Sequence, residues 1–234
     1  MSHYTVMVIG DNPEEQLAPF DENIEVDPYK NEDGEETTYN PRSKWDWYLL
    51  GGRFSGRLKL KPGRTGENGV AGAFDNATGI DRARKDAIDL DAMRSSFASD
   101  AAGWYDEFAK ATEGLPWPTP WAEILAKHGE AAIKAAREEY HSQPMVIAYN
   151  KANIDMGGPE DYGQDRQAYI ERMVVKRMAP HAILWNGEWT ERGSMGWWGI
   201  VSNDTDDKRW YEQFMEIWEK VPDDAMISMY DCHI

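Results

Sequence analysis

The sequence predicts an α+β fold: an antiparallel or mixed sheet with helices on one face and a helical insertion in the middle of the chain. Three observations carry this prediction. His3–Ile9 and Met226–His233 both read as strands, so the two ends of the chain belong to the sheet. Ile183-Leu184-Trp185, Asn186-Gly187 and Glu188-Trp189 spell a hairpin, because Asn-Gly is the favoured type I′ pair and both residues tolerate positive φ. Leu90, Met93, Phe97, Trp104 and Phe108 recur at helical spacing in the middle. The simplest organisation is one domain, 1–234, with 89–178 as a largely helical insertion.

The elements follow in order. Gly10–Thr38 is acidic, carries Pro13, Pro19, Pro28 and Gly34, and reads as a long surface loop. Lys44–Leu50 is aromatic and strand-like, and Gly51-Gly52 breaks it. Arg57–Lys61 is a short alternating strand, and Pro62–Gly79, with five glycines, is a loop. Asp89–Thr112 is a helix, with Asp86 and Asp89 as charges that complement its dipole. After the break at Gly114–Pro120, Thr119 is placed to cap a second helix that runs to about Tyr140. Met145–Tyr149 is a candidate strand, and Gln164–Met178 is helical. Gly196–Ser202 is a further strand. Asp206–Lys220 is an amphipathic helix with Trp210, Phe214, Ile217 and Trp218 on one face.

Composition narrows the function classes. The chain has 234 residues and 41% hydrophobic residues, enough for a real core. No stretch of 18 apolar residues, no secretory leader and only Cys232 lead to the expectation of a cytoplasmic protein without an internal disulfide. The formal charge of −17 disfavours nucleic acid as a partner. That charge is uneven. Asp11–Glu36 holds eleven Asp or Glu against one Lys, whereas Pro41–Arg64 holds seven Lys or Arg against Asp46 alone. The basic segment suits a small anionic ligand, or it simply compensates the acidic one.

Eleven tryptophans are many for this length. Trp210, Trp218, Trp104 and Trp121 read as packing. In Lys44-Trp45-Asp46-Trp47-Tyr48, strand alternation puts Trp45 and Trp47 on one face and Lys44, Asp46 and Tyr48 on the other, a set able to orient a polar ligand. Gly51-Gly52 permits close backbone approach and exposed N–H groups, and Arg53 adds a planar fork for phosphate or carboxylate. Arg192 joins this ligand-binding set. Adjacent Trp197 and Trp198 face opposite sides of a strand, so one of them can line a pocket and stack on a base, at roughly 1–3 kcal/mol per base.

His233 and Asp231 point the same way at i, i+2 in a strand, so the carboxylate can orient the imidazole. His3 shares a face with His233 if the terminal strands lie side by side, and two such histidines can act as base and acid on a phosphodiester. His233, Asp231 and His3 are therefore the catalytic candidates. His-x-Thr at the start is similar to the motif of two-histidine phosphoesterases, which carry it twice; here only Ile234 follows His233. No phosphate-binding loop, dinucleotide fingerprint, zinc spacing or nucleophile elbow is present, and neither metal nor cofactor is expected.

The chain resembles a family of uncharacterised phage-encoded proteins. The likeness rests on His3-Tyr4-Thr5-Val6, Asn40-Pro41-Arg42-Ser43-Lys44-Trp45-Asp46-Trp47-Tyr48, Gly51-Gly52-Arg53 and Asp81–Asp89. It continues in Glu191-Arg192-Gly193, Met195-Gly196-Trp197-Trp198-Gly199 and Asp231-Cys232-His233-Ile234. Phe54 stands where the family pattern has Trp. The resemblance implies a phage origin, and with it a host-cell location. The leading expectation is counter-defence: an aromatic, Arg/Lys-lined pocket that sequesters or cleaves a small, even cyclic, nucleotide signal without metal. The alternative is an acidic interaction protein, with Asp11–Glu36 mimicking nucleic acid to block a host protein. A host protein and a second copy of the chain stay open as partners.

Overall fold

The computed structural model describes residues 2–71, 80–154, 157–196 and 200–234. Its centre is a pair of long strands, β1 (His3–Ile9) and β11 (Met226–His233), antiparallel over their whole length with His3 opposite His233 and Ile9 opposite Ile227. Both are buried on both faces. Around them a mixed seven-stranded sheet forms in the order β5-β4-β11-β1-β7-β8, with β4 Trp47–Gly52, β5 Val70–Ala71, β7 Ala182–Trp185 and β8 Glu188–Glu191. β1 and β7 are parallel, as are β4 and β5; the other pairs are antiparallel. The seventh strand, β6 (Arg82–Arg84), pairs with the start of β11. The β7–β8 turn has Asn186 and Gly187 at φ 53° and 77°, the backbone that the Asn-Gly pair predicts.

One face of the sheet carries Tyr4, Val6, Val8, Ala182, Leu184, Tyr230 and Cys232, packed with Leu17, Phe20 and Trp45. The other face, with Met7, Ile9, Ile183, Ile227 and Met229, is buried as deeply. Leu17 belongs to α1 (Pro13–Leu17), which lies against β1 and β7, so the acidic segment is more than a loop. Pro13 starts the short helix at a position where a missing N–H costs nothing. The segment continues into the hairpin of β2 (Tyr29–Lys30) and β3 (Glu36–Thr37). Asn40 ties it down. Its amide donates to the carbonyls of Pro19 and Asp21 at 3.0 and 2.9 Å and accepts the Arg42 N–H at 3.0 Å.

Other expectations need correction. Among the described residues Arg57–Lys61 makes only isolated bridges, Leu58 to Ile80 and Leu60 to Ile88. Gly51-Gly52 does not end β4 but forms its last two residues, paired with β5. Met145–Tyr149 is not a strand. Gln143 is extended before Pro144, which starts α5 (Pro144–Lys151), and Met145, Val146 and Tyr149 are its buried side. The helix after the Pro-rich break is α3 (Trp121–His128), with Pro120 rather than Thr119 at the N-cap position and no side-chain capping hydrogen bond there. It stops at Gly129, whose φ of 76° is not helical, and α4 (Ile133–His141) follows. β9 (Ser194–Met195) and β10 (Val201–Ser202) make a small hairpin, with 197–199 outside the described residues.

The helices with strong periodicity form as the pattern predicts. α2 is Leu90–Ala111, and Asp89, read from the sequence as a charge on the helix dipole, also caps the helix by accepting the Ala92 N–H at 2.8 Å. α7 is Arg166–Met178, preceded by the short α6 (Pro159–Tyr162). α8 is Asp207–Lys220, capped by Asp206, with Trp210, Phe214 and Trp218 buried. Contacts divide the chain into two compact units, 1–95 with 175–234, and 96–174. The second is helical, with a core of stacked rings in which Phe108 and Tyr169 lie on Tyr162 at 4.3 and 4.9 Å. No helix among the described residues is long and apolar enough to cross a membrane.

Candidate functional site

The register of three neighbouring strands assembles a cluster of rings. His3 on β1 is opposite His233 on β11, and His233 is opposite Trp47 on β4. Residues directly opposite each other share a face of the sheet. The two imidazoles are 5.0 Å apart between centroids, edge to face at 71°. Trp47 lies parallel to His233 at 5.2 Å and 14°, and His3 meets the indole edge-on at 5.2 Å. The histidines are nearly covered, whereas Trp47 is 41% exposed.

Each imidazole faces its own carboxylate. His3 Nδ1 is 2.8 Å from Asp231 Oδ1, and His233 Nδ1 is 2.5 Å from Asp46 Oδ1. The two pairs differ in their surroundings. The Asp231 side chain is 2% exposed and takes a second hydrogen bond on Oδ2, from the Arg53 backbone N–H at 2.9 Å. Asp46 is 28% exposed. With Nδ1 occupied on both rings, Nε2 is the atom left for a ligand; neither Nε2 has a hydrogen-bond partner among the described residues. A histidine held at Nδ1 by a carboxylate is oriented for proton transfer at Nε2. Glu22 stands nearby. Burial first, then Asp46 and Asp21, raise its carboxyl above the ordinary value, and His233 lowers it.

The structure thus unites His3, Asp231, His233, Asp46 and Trp47, and separates them from the other candidates. Trp45 and Trp47 do not share a face. β4 begins at Trp47, so the alternation assumed for Lys44–Tyr48 does not hold. Trp45 turns into the core, where its Nε1 donates to the Leu17 carbonyl at 3.2 Å. Tyr48 is on the side opposite Trp47 and packs edge-on against Trp45 at 4.7 Å and Tyr230 at 5.4 Å. Trp45 and Tyr48 therefore pack on the side of the sheet away from the histidine cluster.

The cations are likewise engaged. Lys44 Nζ pairs with Glu191 at 2.8 Å, and Arg192 binds Asp204 at 2.6 and 2.8 Å and also Asp207. Arg64 pairs with Asp86 at 2.8 Å, and Arg42 lies over the Phe20 ring at 4.5 Å. Arg57 donates to the carbonyls of Arg177 and Ala179 at the end of α7, and burial brings it down to about 10. The basic segment is largely consumed inside the fold, and Lys44 and Arg192 do not line the histidine cluster. The Arg53 side chain is exposed beside the site, but its backbone N–H serves Asp231 instead of a ligand. Trp197 and Trp198 lie outside the described residues.

Asp81 is the residue that sequence reasoning missed. It is wholly buried and accepts from Ser55 Oγ at 2.8 Å, the Gly56 N–H at 2.9 Å and the Gly69 N–H at 2.8 Å. In sequence it is one charge in the crowded run Asp81–Asp89, and nothing local distinguishes it. Surface depressions of ≈ 300, 450 and 480 Å³ lie around Arg82, Lys85 and Gln16, and none contains a residue of the histidine cluster. Among the described residues no group of three or more His, Cys, Asp or Glu converges as a metal site. No family model matches the chain, and no curated protein or solved structure is detectably similar to it.

Proposed function

We propose that this is a phage counter-defence protein that binds a small nucleotide-derived signal at the His3–His233 cluster and cleaves a phosphodiester bond in it. One observation carries the reading: two imidazoles 5.0 Å apart, each held at Nδ1 by a separate carboxylate, beneath a half-exposed indole. Acid–base cleavage needs two groups that exchange protons with opposite sides of one phosphorus. The neutral imidazole takes the proton of the attacking hydroxyl as its oxygen bonds to phosphorus. The phosphorus–oxygen bond to the leaving group breaks, and the other ring, protonated at the outset, gives that oxygen its proton. Each ring ends in the other's state and is reset by exchange with water. Trp47 offers a stacking face for a base.

The test is a titration with cyclic dinucleotides and ADP-ribose derivatives, following tryptophan fluorescence and melting temperature, then product analysis. Saturable stabilisation and a cleaved product support the reading. A nucleotide recovered intact identifies sequestration. No response across the panel refutes nucleotide binding. A second reading, an acidic protein that blocks a host nucleic-acid-binding partner, is favoured by the β2–β3 hairpin, which exposes Glu32, Asp33, Glu35 and Glu36. Capture of such a partner, lost when these four are neutralised, would support it instead.

A further inference from the structure

The turn after β4 is built around one carboxylate of the site. Gly51 and Gly52 both have positive φ, +79° and +55°. A Cβ on Gly52 would lie 2.5 Å from both Cβ and Oδ2 of Asp231. A Cβ on Gly51 would lie 2.6 Å from Oδ2 of Asp81. These separations are too short for real side-chain atoms, so the two glycines let the backbone close onto two buried acids. Asp81 then fixes the turn from below through Ser55, Gly56 and Gly69. So fixed, the turn delivers the Arg53 N–H to Asp231 Oδ2. A carboxylate offers only acceptors. With Oδ2 taken, Oδ1 is what faces His3, and a hydrogen bond there requires the proton on His3 Nδ1, leaving a lone pair on Nε2.

We propose that Gly52 and Asp81 are positioning residues: they seat the Arg53 N–H on Asp231 and so set the tautomer of His3. The inference rests on reading His3 as part of an acid–base site, but it concerns the resting imidazole and is measured without substrate. It also gives the Gly51-Gly52-Arg53 motif a purpose other than a phosphate cradle, since its N–H is spent on a side chain of the protein.

The experiment is ¹⁵N-imidazole NMR of the full chain, recorded above the imidazole titration range. Wild-type His3 shows the proton on Nδ1. Asp231→Asn has one acceptor oxygen. The Arg53 N–H, fixed in the backbone, claims it, and the amide NH₂ turns to His3 Nδ1, which must then accept. The proton moves to Nε2, while His233, held by Asp46, is unchanged. Gly52→Ala pushes Asp231 off the Arg53 N–H and leaves His3 in a mixture of tautomers, again without effect on His233. Turnover of a cleaved nucleotide falls by roughly 10²–10⁴-fold in Asp231→Asn, in kcat rather than KM. If Asp231→Asn keeps His3 in the Nδ1–H form, the inference is overturned. If the tautomer moves but no nucleotide binds or reacts, the inference stands and the proposed activity fails. Asp231→Asn is isosteric, so the test does not depend on Gly52→Ala folding.

Discussion

His3 and His233 face each other across the β1–β11 pair, 5.0 Å between ring centroids, with Nδ1 of the first on Asp231 and Nδ1 of the second on Asp46. Residues 230 positions apart thus become neighbours through strand register alone. The pairing makes the two rings similar in chemistry but unequal in support, because Asp231 is buried and doubly bonded whereas Asp46 is partly in solvent.

Loss of either ring should abolish cleavage and spare binding. His3→Ala and His233→Ala are each expected to lower kcat by roughly 10²–10⁴-fold, the usual worth of a positioned acid or base. Nucleotide affinity should change little. Steady-state kinetics beside direct binding measurements decide the matter; unchanged turnover in either variant removes that ring from the mechanism.

The two tryptophans of the Lys44–Tyr48 segment should separate cleanly. Trp47→Ala is expected to weaken nucleotide binding by about 1–3 kcal/mol, roughly 5- to 150-fold, with little loss of stability. Trp45→Ala removes a buried ring and strands the Leu17 carbonyl, at a cost of roughly 3–5 kcal/mol. Denaturant midpoints and ligand titrations on both variants check this. Equal destabilisation by the two would contradict the assignment of Trp47 to the site.

Lys44 tests the charge argument. It pairs with Glu191 at 2.8 Å while both stay partly exposed, so Lys44→Met should cost no more than about 1 kcal/mol. Nucleotide affinity should be unaffected. A large drop in affinity would show that Lys44 leaves Glu191 to meet the ligand.

His181 makes stability depend on pH. Burial lowers its pKa below the ordinary 6.5; Arg192 pushes the same way, while Glu191, the Gly193 carbonyl and Asp204 oppose. The unfolded chain therefore binds the proton first as pH falls, and the folded state loses stability on going down through 6.5. Its contribution is complete above that value. His181→Gln should flatten the melting-temperature profile between about pH 7.5 and about pH 5.5 relative to wild type. Identical slopes for the two proteins would exclude His181 as the source.

Much of the sheet was legible because its signals are local and strong. β11 has the bounds the sequence suggests, and Asn186-Gly187 dictates its own turn. α8 shows its face in Trp210, Phe214 and Trp218. The errors fall where periodicity is short. Five residues, Met145–Tyr149, fit strand or helix equally, and Pro144 with the packing of Tyr149 decides for helix. α1 hides in an acidic, proline-bearing stretch, because a single turn and a half leaves no periodic trace.

The sequence by itself determined the class of the protein, its terminal strands and the two histidines that share a face of them. Alternation in a strand is a local property, so Asp231 and His233 had to point the same way. Everything that depends on which segments meet was decided by the tertiary structure. It turned Trp45 inward and Trp47 outward, spent Lys44 and Arg192 on carboxylates, and gave His233 Asp46 instead of Asp231 as its partner. It also buried Asp81 under a pair of glycines whose missing side chains leave room for it and for Asp231. The physical reason is that hydrogen-bond partners and ion pairs are set by distances between elements remote in sequence. No local pattern encodes them.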